Sequence, residues 1–267
     1  MILVLGGGFG LYGHLAALIG EGRRVATLAR YRAIVEARIE LAPLVDSVEW
    51  LDDEPDAIAR ADTLVLARRP VDNALIARQW PGTRLVIEKP IAARPADADA
   101  LVRPGLSVPY LYLHCDWFDQ LAQADSGSID WRIAPSPAGS GWKRDPAVGG
   151  GPLAYYFIHC AAVAEALFPG ADQAFRITDK AITLTTAGGR LSQRLEITPL
   201  ASNFTVKTAG TTLFEGDSAF GPTPLAGAPD PRIGPLRRFY RETVFGRRVQ
   251  TPAFHHAVHH LWQRMAA

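Results

Sequence analysis

Cysteine is nearly absent from this sequence. Only Cys115 and Cys160 occur in 267 residues, which excludes a disulfide framework and any CxxC metal or redox motif. An excess of either charge is missing too: 28 Lys and Arg stand against 27 Asp and Glu, for a formal net charge of +1. Such a chain has no field to gather nucleic acid or an anionic membrane, so a small-molecule partner is expected. No apolar run approaches the roughly 20 residues that span a bilayer, and the chain opens on a strand-like segment without a charged leader. The expected compartment is the cytoplasm. A metal site is not expected either, because the pairs His255/His259 and His256/His260 have no neighbouring acid or cysteine to complete one. What is present in quantity is apolar: 48% hydrophobic residues can fill one or two domain cores.

The informative stretch is Ile2-Leu3-Val4-Leu5-Gly6-Gly7-Gly8-Phe9-Gly10-Leu11-Tyr12-Gly13-His14. Four apolar residues predict a buried parallel strand, the glycines a tight turn, and Leu11 to Glu21 a helix facing it. Unpaired N–H groups at a helix start favour an anion, and glycine lets a pyrophosphate approach. Two registers fit, Gly8-x-Gly10-x-x-Gly13 and Gly6-x-Gly8-x-x-Leu11; the second sits closer to the strand end and is preferred. Gly6, Gly8, Phe9, Gly10 and Leu11 are thus candidates for binding a dinucleotide. Val25 to Leu28 predicts the next strand, at whose end an NAD site places an acid for the ribose 2′-hydroxyl. Arg30 and Arg32 occupy that neighbourhood instead. A guanidinium suits a 2′-phosphate, so NADP(H) is expected ahead of NAD(H).

Alternation continues downstream. Helical spacing at Tyr31 to Leu41, Pro55 to Arg60, Asn73 to Gln79 and Pro95 to Val102 separates strands at Val48 to Leu51, Thr63 to Ala67, Arg84 to Ile87 and Ser107 to Leu113. This predicts an α/β fold with a doubly wound parallel sheet, a Rossmann domain over residues 1–124. Its ligand belongs at the carboxyl ends of the strands, just past Leu5, Leu28, Ala67 and Ile87. From a boundary near Asp125-Ser126-Gly127 the pattern changes. Strands at Ile129 to Ala134, Arg176 to Thr185, Arg190 to Thr198, Phe204 to Thr208 and Thr211 to Phe214, with a turn at Ala187-Gly188-Gly189, predict an α+β domain over 125–267 with a mostly antiparallel sheet. The open face of that sheet suits self-association into a homo-oligomer. Gly216 to Pro235 predicts a long loop. Leu236 to Val244 and Pro252 to Met265 predict helices, candidates for packing back on the first domain, and the last is amphipathic and packed by Phe254, Val258, Leu261 and Trp262.

Past Ile87 stands Glu88-Lys89-Pro90. A strand ending in Glu-Lys-Pro after an N-terminal glycine turn resembles the glucose-fructose oxidoreductase, inositol dehydrogenase and rhizopine-catabolism (Gfo/Idh/MocA) family. The resemblance implies that Lys89 lies beside the nicotinamide and the reacting substrate oxygen, and that Glu88 lines the cofactor site. An ammonium in a partly dry cleft can bond that oxygen and stabilise its charge. Arg69-Pro70-Val71-Asp72-Asn73-Ala74 resembles another family loop at the cofactor, with Ala74 where a histidine is common; it adds Arg69 and Pro70 to the cofactor candidates.

Gly141-Trp142-Lys143-Arg144-Asp145-Pro146, the triplet Gly149-Gly150-Gly151 and the helix from Pro152 are similar to the family's Trp-basic-x-Asp-Pro segment. Trp142, Lys143 and Arg144 are candidates for a substrate wall with an anion or polyhydroxyl contact, and packing with solvated charge is the alternative reading. His159 matches a histidine that takes part in proton transfer. Tyr155, one helical turn earlier on the same face, stands where the family has aspartate; a hydroxyl can relay a proton but holds no fixed negative charge. Taken together, the motifs and the resemblance imply hydride transfer between a nicotinamide and a small carbonyl, hydroxyl or imine carbon, with Lys89, His159 and Tyr155 as catalytic residues. A nucleotide-binding protein without chemistry is the alternative. Cys160 neighbours His159 in sequence but points elsewhere on a helix, so no Cys-His nucleophile is expected.

Overall fold

Strand β1 (Ile2–Leu5) lies in the interior of a six-stranded sheet with β2 (Val25–Leu28), β3 (Val48–Leu51), β4 (Thr63–Leu66), β5 (Arg84–Ile87) and β6 (Leu106–Ser107). The computed structural model describes residues 1–134, 141–222 and 224–266. All five pairings in this sheet are parallel, in the order β3-β2-β1-β4-β5-β6. Every residue of β2 and β4 is buried, which is why these strands read as continuous apolar runs rather than alternating ones. The order reverses direction at β1, between β2 and β4, and ligands of open α/β sheets bind outside the carboxyl ends at such a switch point.

The longer helices, in chain order, are α1 (Ala16–Gly20), α2 (Arg32–Glu36), α3 (Glu54–Ala59), α4 (Pro70–Gln79), α5 (Pro95–Asp99), α6 (Asp116–Ala122), α7 (Pro152–Leu167), α8 (Ile233–Phe239) and α9 (Pro252–Ala266). A wider π-helical turn, Gly10–Leu15, leads into α1. The glycine-to-helix segment is therefore one helical run from Gly10 to Gly20.

A second six-stranded sheet contains β7 (Gly127–Ile133), β8 (Gln173–Ile177), β9 (Ala181–Thr186), β10 (Leu191–Ile197), β11 (Asn203–Thr208) and β12 (Thr211–Gly216), in the order β12-β11-β7-β10-β9-β8. It is antiparallel except for the β7–β10 pair. Ile129, Trp131 and Ile133 of β7 are buried while Asp130 and Arg132 between them are exposed, the alternation of a sheet covered on one face. Helix α7 covers that face, where Gln193 Nε2 donates to the Cys160 carbonyl at 2.9 Å. The α/β-plus-α+β class expected from the sequence is the class observed.

The chain forms two compact units. The first comprises Met1–Ile91, Leu101–Pro109 and Pro224–Pro252, and the second comprises Ala92–Ala100 with the remaining described residues. This differs from a single crossing near Asp125. Helix α8 belongs to the first unit, where Arg237 donates to Glu21 and to the Gly20 carbonyl at the end of α1 (2.8 and 2.9 Å); α9 belongs to the second.

Three expected elements come out shorter or divided. The strand expected at Ser107 to Leu113 stops at Ser107, because Pro109 has no N–H to continue the ladder; the Gln250 side chain instead bonds both the N–H and the carbonyl of Val108 (2.7 and 2.9 Å). The single strand expected at Arg176 to Thr185 is the hairpin β8–β9, turned by Thr178, whose hydroxyl accepts from the Ala181 N–H at 3.0 Å. The helix expected over Tyr31 to Leu41 ends at Glu36, since Ile34 and Ile39 face solvent and leave no continuous apolar stripe to bury. Gly216 to Pro235 is largely irregular up to α8; Thr223 within it lies outside the described residues.

Candidate functional site

The first group of candidates surrounds the carboxyl end of β1. Gly6 follows the strand with a φ of +149°, and a Cβ there would lie 2.3 Å from the Ala67 carbonyl oxygen. Only glycine fits that turn. Gly8 is different: no atom lies within 4 Å of where its Cβ would be, so its backbone faces open space. Gly10 packs against Val4 and Ala67, and a Cβ on Gly13 would meet the Phe9 ring at 2.3 Å. Leu11 is buried, and its N–H donates to the Gly8 carbonyl at 2.9 Å. Turn, open approach and close packing thus fall to Gly6, Gly8 and Gly10 in succession. The Arg232 guanidinium lies 4.2 Å over the Phe9 ring and is held there by Asp230 at 2.7 and 2.8 Å.

At the end of β2, Arg30 is ion-paired with Glu54, the first residue of α3. The sequence offers no acid about 20 residues beyond the glycines, but the fold brings one from the end of β3. Glu54 also accepts from Arg68 Nη1 at 2.7 Å, and these guanidinium hydrogen bonds hold its carboxyl below the usual range. Arg68 is the residue just past Ala67. Asn73 fixes its backbone, accepting from the Arg68 N–H at 3.1 Å and donating to its carbonyl at 3.2 Å. Arg69, the candidate named from sequence, pairs instead with Asp72 in the first turn of α4 at 2.8 Å, and Pro70 is buried at the start of that helix.

At the end of β5, Glu88 and Lys89 are half-buried. The Glu88 N–H donates to the Leu66 carbonyl of β4 at 2.9 Å, which fixes the start of the turn. Glu88 Oε1 accepts from Nε2–H of His14 at 2.8 Å, and the other ring nitrogen, Nδ1, pairs with the Tyr240 hydroxyl at 2.6 Å. A carboxylate can only accept, which sets the Nε2–H tautomer of the neutral ring and makes the Tyr240 O–H the donor to Nδ1. His14 and Tyr240 are fully buried. Burial, reinforced by the Glu88 charge, pushes the Tyr240 hydroxyl well above its ordinary pKa and keeps it a donor. Neither His14 nor Tyr240 stands out in the sequence, although His14 closes the glycine stretch itself.

The second group lies in the other unit. Residues 141–151 curl tightly: the Gly151 N–H donates to the Lys143 carbonyl and the Gly150 N–H to that of Asp145, both at 2.9 Å. A Cβ on Gly150 would lie 2.2 Å from the Trp142 carbonyl oxygen, and Gly149 and Gly151 both have a φ of +92°. This curl brings Trp142 to Tyr155, with ring centroids 5.8 Å apart, and sets Lys143 Nζ 5.8 Å from the centre of the same ring. Arg144 is exposed. One turn along α7, His159 is 5% exposed and stacks flat on Tyr112, with ring centres 4.3 Å apart and an interplanar angle of 11°; Trp131 stands edge-on at 6.2 Å. Burial pushes the neighbouring Cys160 thiol up to about 12, so it is inert as a nucleophile near neutral pH. Among the described residues no group of three or more His, Cys, Asp or Glu is placed to hold a metal, and no helix is long and apolar enough to cross a membrane.

The fold joins a Rossmann-type parallel sheet to a second, mostly antiparallel sheet. Among solved structures it resembles GenD2 from gentamicin A biosynthesis in complex with NAD, with a TM-score of 0.69 and 15% identity over 99% of this chain and 92% of that one. It is equally similar to the WlbA (WbpB) dehydrogenase from Thermus thermophilus in complex with NAD and UDP-GlcNAcA, with a TM-score of 0.69 and 17% identity over 100% and 94% of the two chains. KijD10, a 3-ketoreductase from Actinomadura kijaniata in complex with NADP and TDP-benzene, matches with a TM-score of 0.63 and 17% identity over 99% and 96%. No protein-family model and no curated protein matches the sequence.

Proposed function

We propose that this chain is an NAD(P)-dependent oxidoreductase acting on a small carbonyl, hydroxyl or imine compound. The observation that carries the reading is the division of labour among the glycines at the β1 rim. Gly6 makes a turn no other residue fits, and Gly8 leaves its backbone open to a ligand at the sheet's switch point. The residues present therefore fit a dinucleotide. Gly6, Gly8, Phe9, Gly10 and Leu11 would hold its pyrophosphate, while Arg30, Arg69, Pro70 and Glu88 would line its remainder. That similar folds were solved with NAD or NADP supports the same reading. The cofactor, when bound, supplies the hydride.

The chain's own residues supply position and protons. Lys89, just past β5, binds the reacting heteroatom and passes its proton. The His14–Glu88 hydrogen bond fixes the residue before it, so the ammonium is delivered from a braced strand end. His159, with Tyr155 on the same helix face, is the second acid-base group, and Trp142, Lys143 and Arg144 form the wall against the substrate. A homo-oligomer built on the open face of the second sheet, in the cytoplasm, completes the proposal. Replacing Lys89→Ala is expected to lower turnover about 10²- to 10⁴-fold with nucleotide affinity retained. Full turnover in that variant, measured by nicotinamide absorbance on an identified substrate, overturns the role.

A second reading rests on the other unit. His159 is buried flat against Tyr112, and Tyr155 replaces the aspartate that the resemblance calls for. A protein that binds NAD(P) without turnover would keep both features. Tight NADPH binding with no absorbance change across carbonyl, sugar and imine compounds supports this reading; one efficient substrate removes it.

A further inference from the structure

Two arginines from different strand ends converge on one carboxylate at the sheet's rim. Glu54 bridges Arg30, past β2, and Arg68, past β4, and so spans the strand between them in the sheet order. Two cations against one anion leave the cluster a charge of +1. The Arg68 Nη2 atom is buried and has no hydrogen-bond partner among the described residues. A guanidinium N–H without an acceptor carries a standing desolvation cost, which an arriving anion removes. The backbone of Arg68 is clamped on both sides by Asn73, so the guanidinium is presented from a fixed base.

We propose that Arg68 is a second determinant of cofactor choice, and that Arg30 and Arg68 together bind the 2′-phosphate of NADP(H), with Glu54 holding the two guanidiniums until the phosphate takes its place. The inference rests on the dinucleotide reading above and makes it specific. A phosphate monoester brings about two negative charges and three acceptor oxygens, enough to satisfy both forks and the unpaired Nη2 at once. A 2′-hydroxyl brings no charge. It leaves the Glu54 bridge intact and the Nη2 group without an acceptor, so NADH gains nothing from Arg68.

The test is a fluorescence titration of NADPH and NADH against the full chain and two variants. Arg68→Gln is expected to weaken NADPH binding at least tenfold and to change NADH binding less than threefold. Glu54→Gln keeps the side-chain shape but removes the charge that competes with the phosphate, so NADPH binding is expected to tighten about threefold or more with NADH unchanged. Because the two variants move NADPH affinity in opposite directions, Glu54→Gln decides the matter if Arg68→Gln does not fold. Equal weakening of both nucleotides by Arg68→Gln, no change in either, or wild-type binding of NADH alone overturns the inference and leaves the oxidoreductase reading standing. Wild-type protein that binds neither nucleotide overturns both.

Discussion

Each unit buries histidine, and the surroundings of the rings differ. In the first, His14 has both ring nitrogens bonded, one to Glu88 and one to Tyr240, at 2.8 and 2.6 Å. In the second, His159 lies against Tyr112 as an aromatic plate, and His259 of α9 is 2% exposed, with its nearest charge, Asp99 Oδ1, 3.7 Å from Nδ1. His14 is thus held through its two ring nitrogens, which fixes its tautomer, whereas the face of His159 is laid on another ring. The His14 ring thereby holds a neighbouring group, Glu88, in place.

The largest break in this comparison is expected from acid. Burial pushes His259 down to about 4 from 6.5, against the opposing pull of Asp99. Above pH 6.5 the group is neutral in both states and contributes nothing to the pH dependence. As the pH falls from 6.5 towards 4, the unfolded chain takes up a proton that the folded one refuses, so stability declines by up to about 3 kcal/mol. Urea unfolding across that window should show the slope, and His259→Leu should flatten it. His14→Ala comes next. It leaves the Tyr240 hydroxyl buried without its partner and releases Glu88, an expected loss of about 2 kcal/mol at neutral pH together with weaker delivery of Lys89, read as a lower kcat. The smallest effect separates a stacked ring from a proton carrier: His159→Phe preserves the stack on Tyr112 and should cost about 1 kcal/mol for the polar contacts of the ring. A tenfold or greater fall in kcat in that stable variant places His159 in the chemistry; unchanged kcat leaves it to packing.

The architecture was legible because the parallel strands are buried on both faces, and their apolar runs end where the glycines and Glu88-Lys89-Pro90 begin. The rim was legible only in part. Arg30 could be named from its distance beyond the glycines, but its partner Glu54 arrives from the next strand, and no spacing within one βα unit reveals it. Arg68 was within reach of the rule that ligands gather just past each strand, since it is the first residue after Ala67. Tyr240 lies 226 residues from His14 and could be joined to it only by the fold. Helix α9 shows the limit of periodicity. Its apolar spacing marks Val258, Leu261 and Trp262, all buried, yet His255 and His259 fill the same face while Phe254 is only half-buried. A neutral imidazole packs like a small aromatic, and a hydropathy pattern scores it as polar.

Strand β7 has a consequence for how the second sheet assembles. Strands β10 and β11 follow one another closely along the chain, yet β7, made some sixty residues earlier, lies between them, parallel to one and antiparallel to the other. The hairpins β8–β9, β9–β10 and β11–β12 can each close locally, whereas the central seam must wait for a partner separated by Gly127↔Leu191. Closing so long a loop before any ladder rewards it is slow. Insertion of β7 is therefore expected to be the rate-limiting event in folding, and weakening it with Trp131→Ala should slow refolding more than an equally destabilising change in the β11–β12 ribbon.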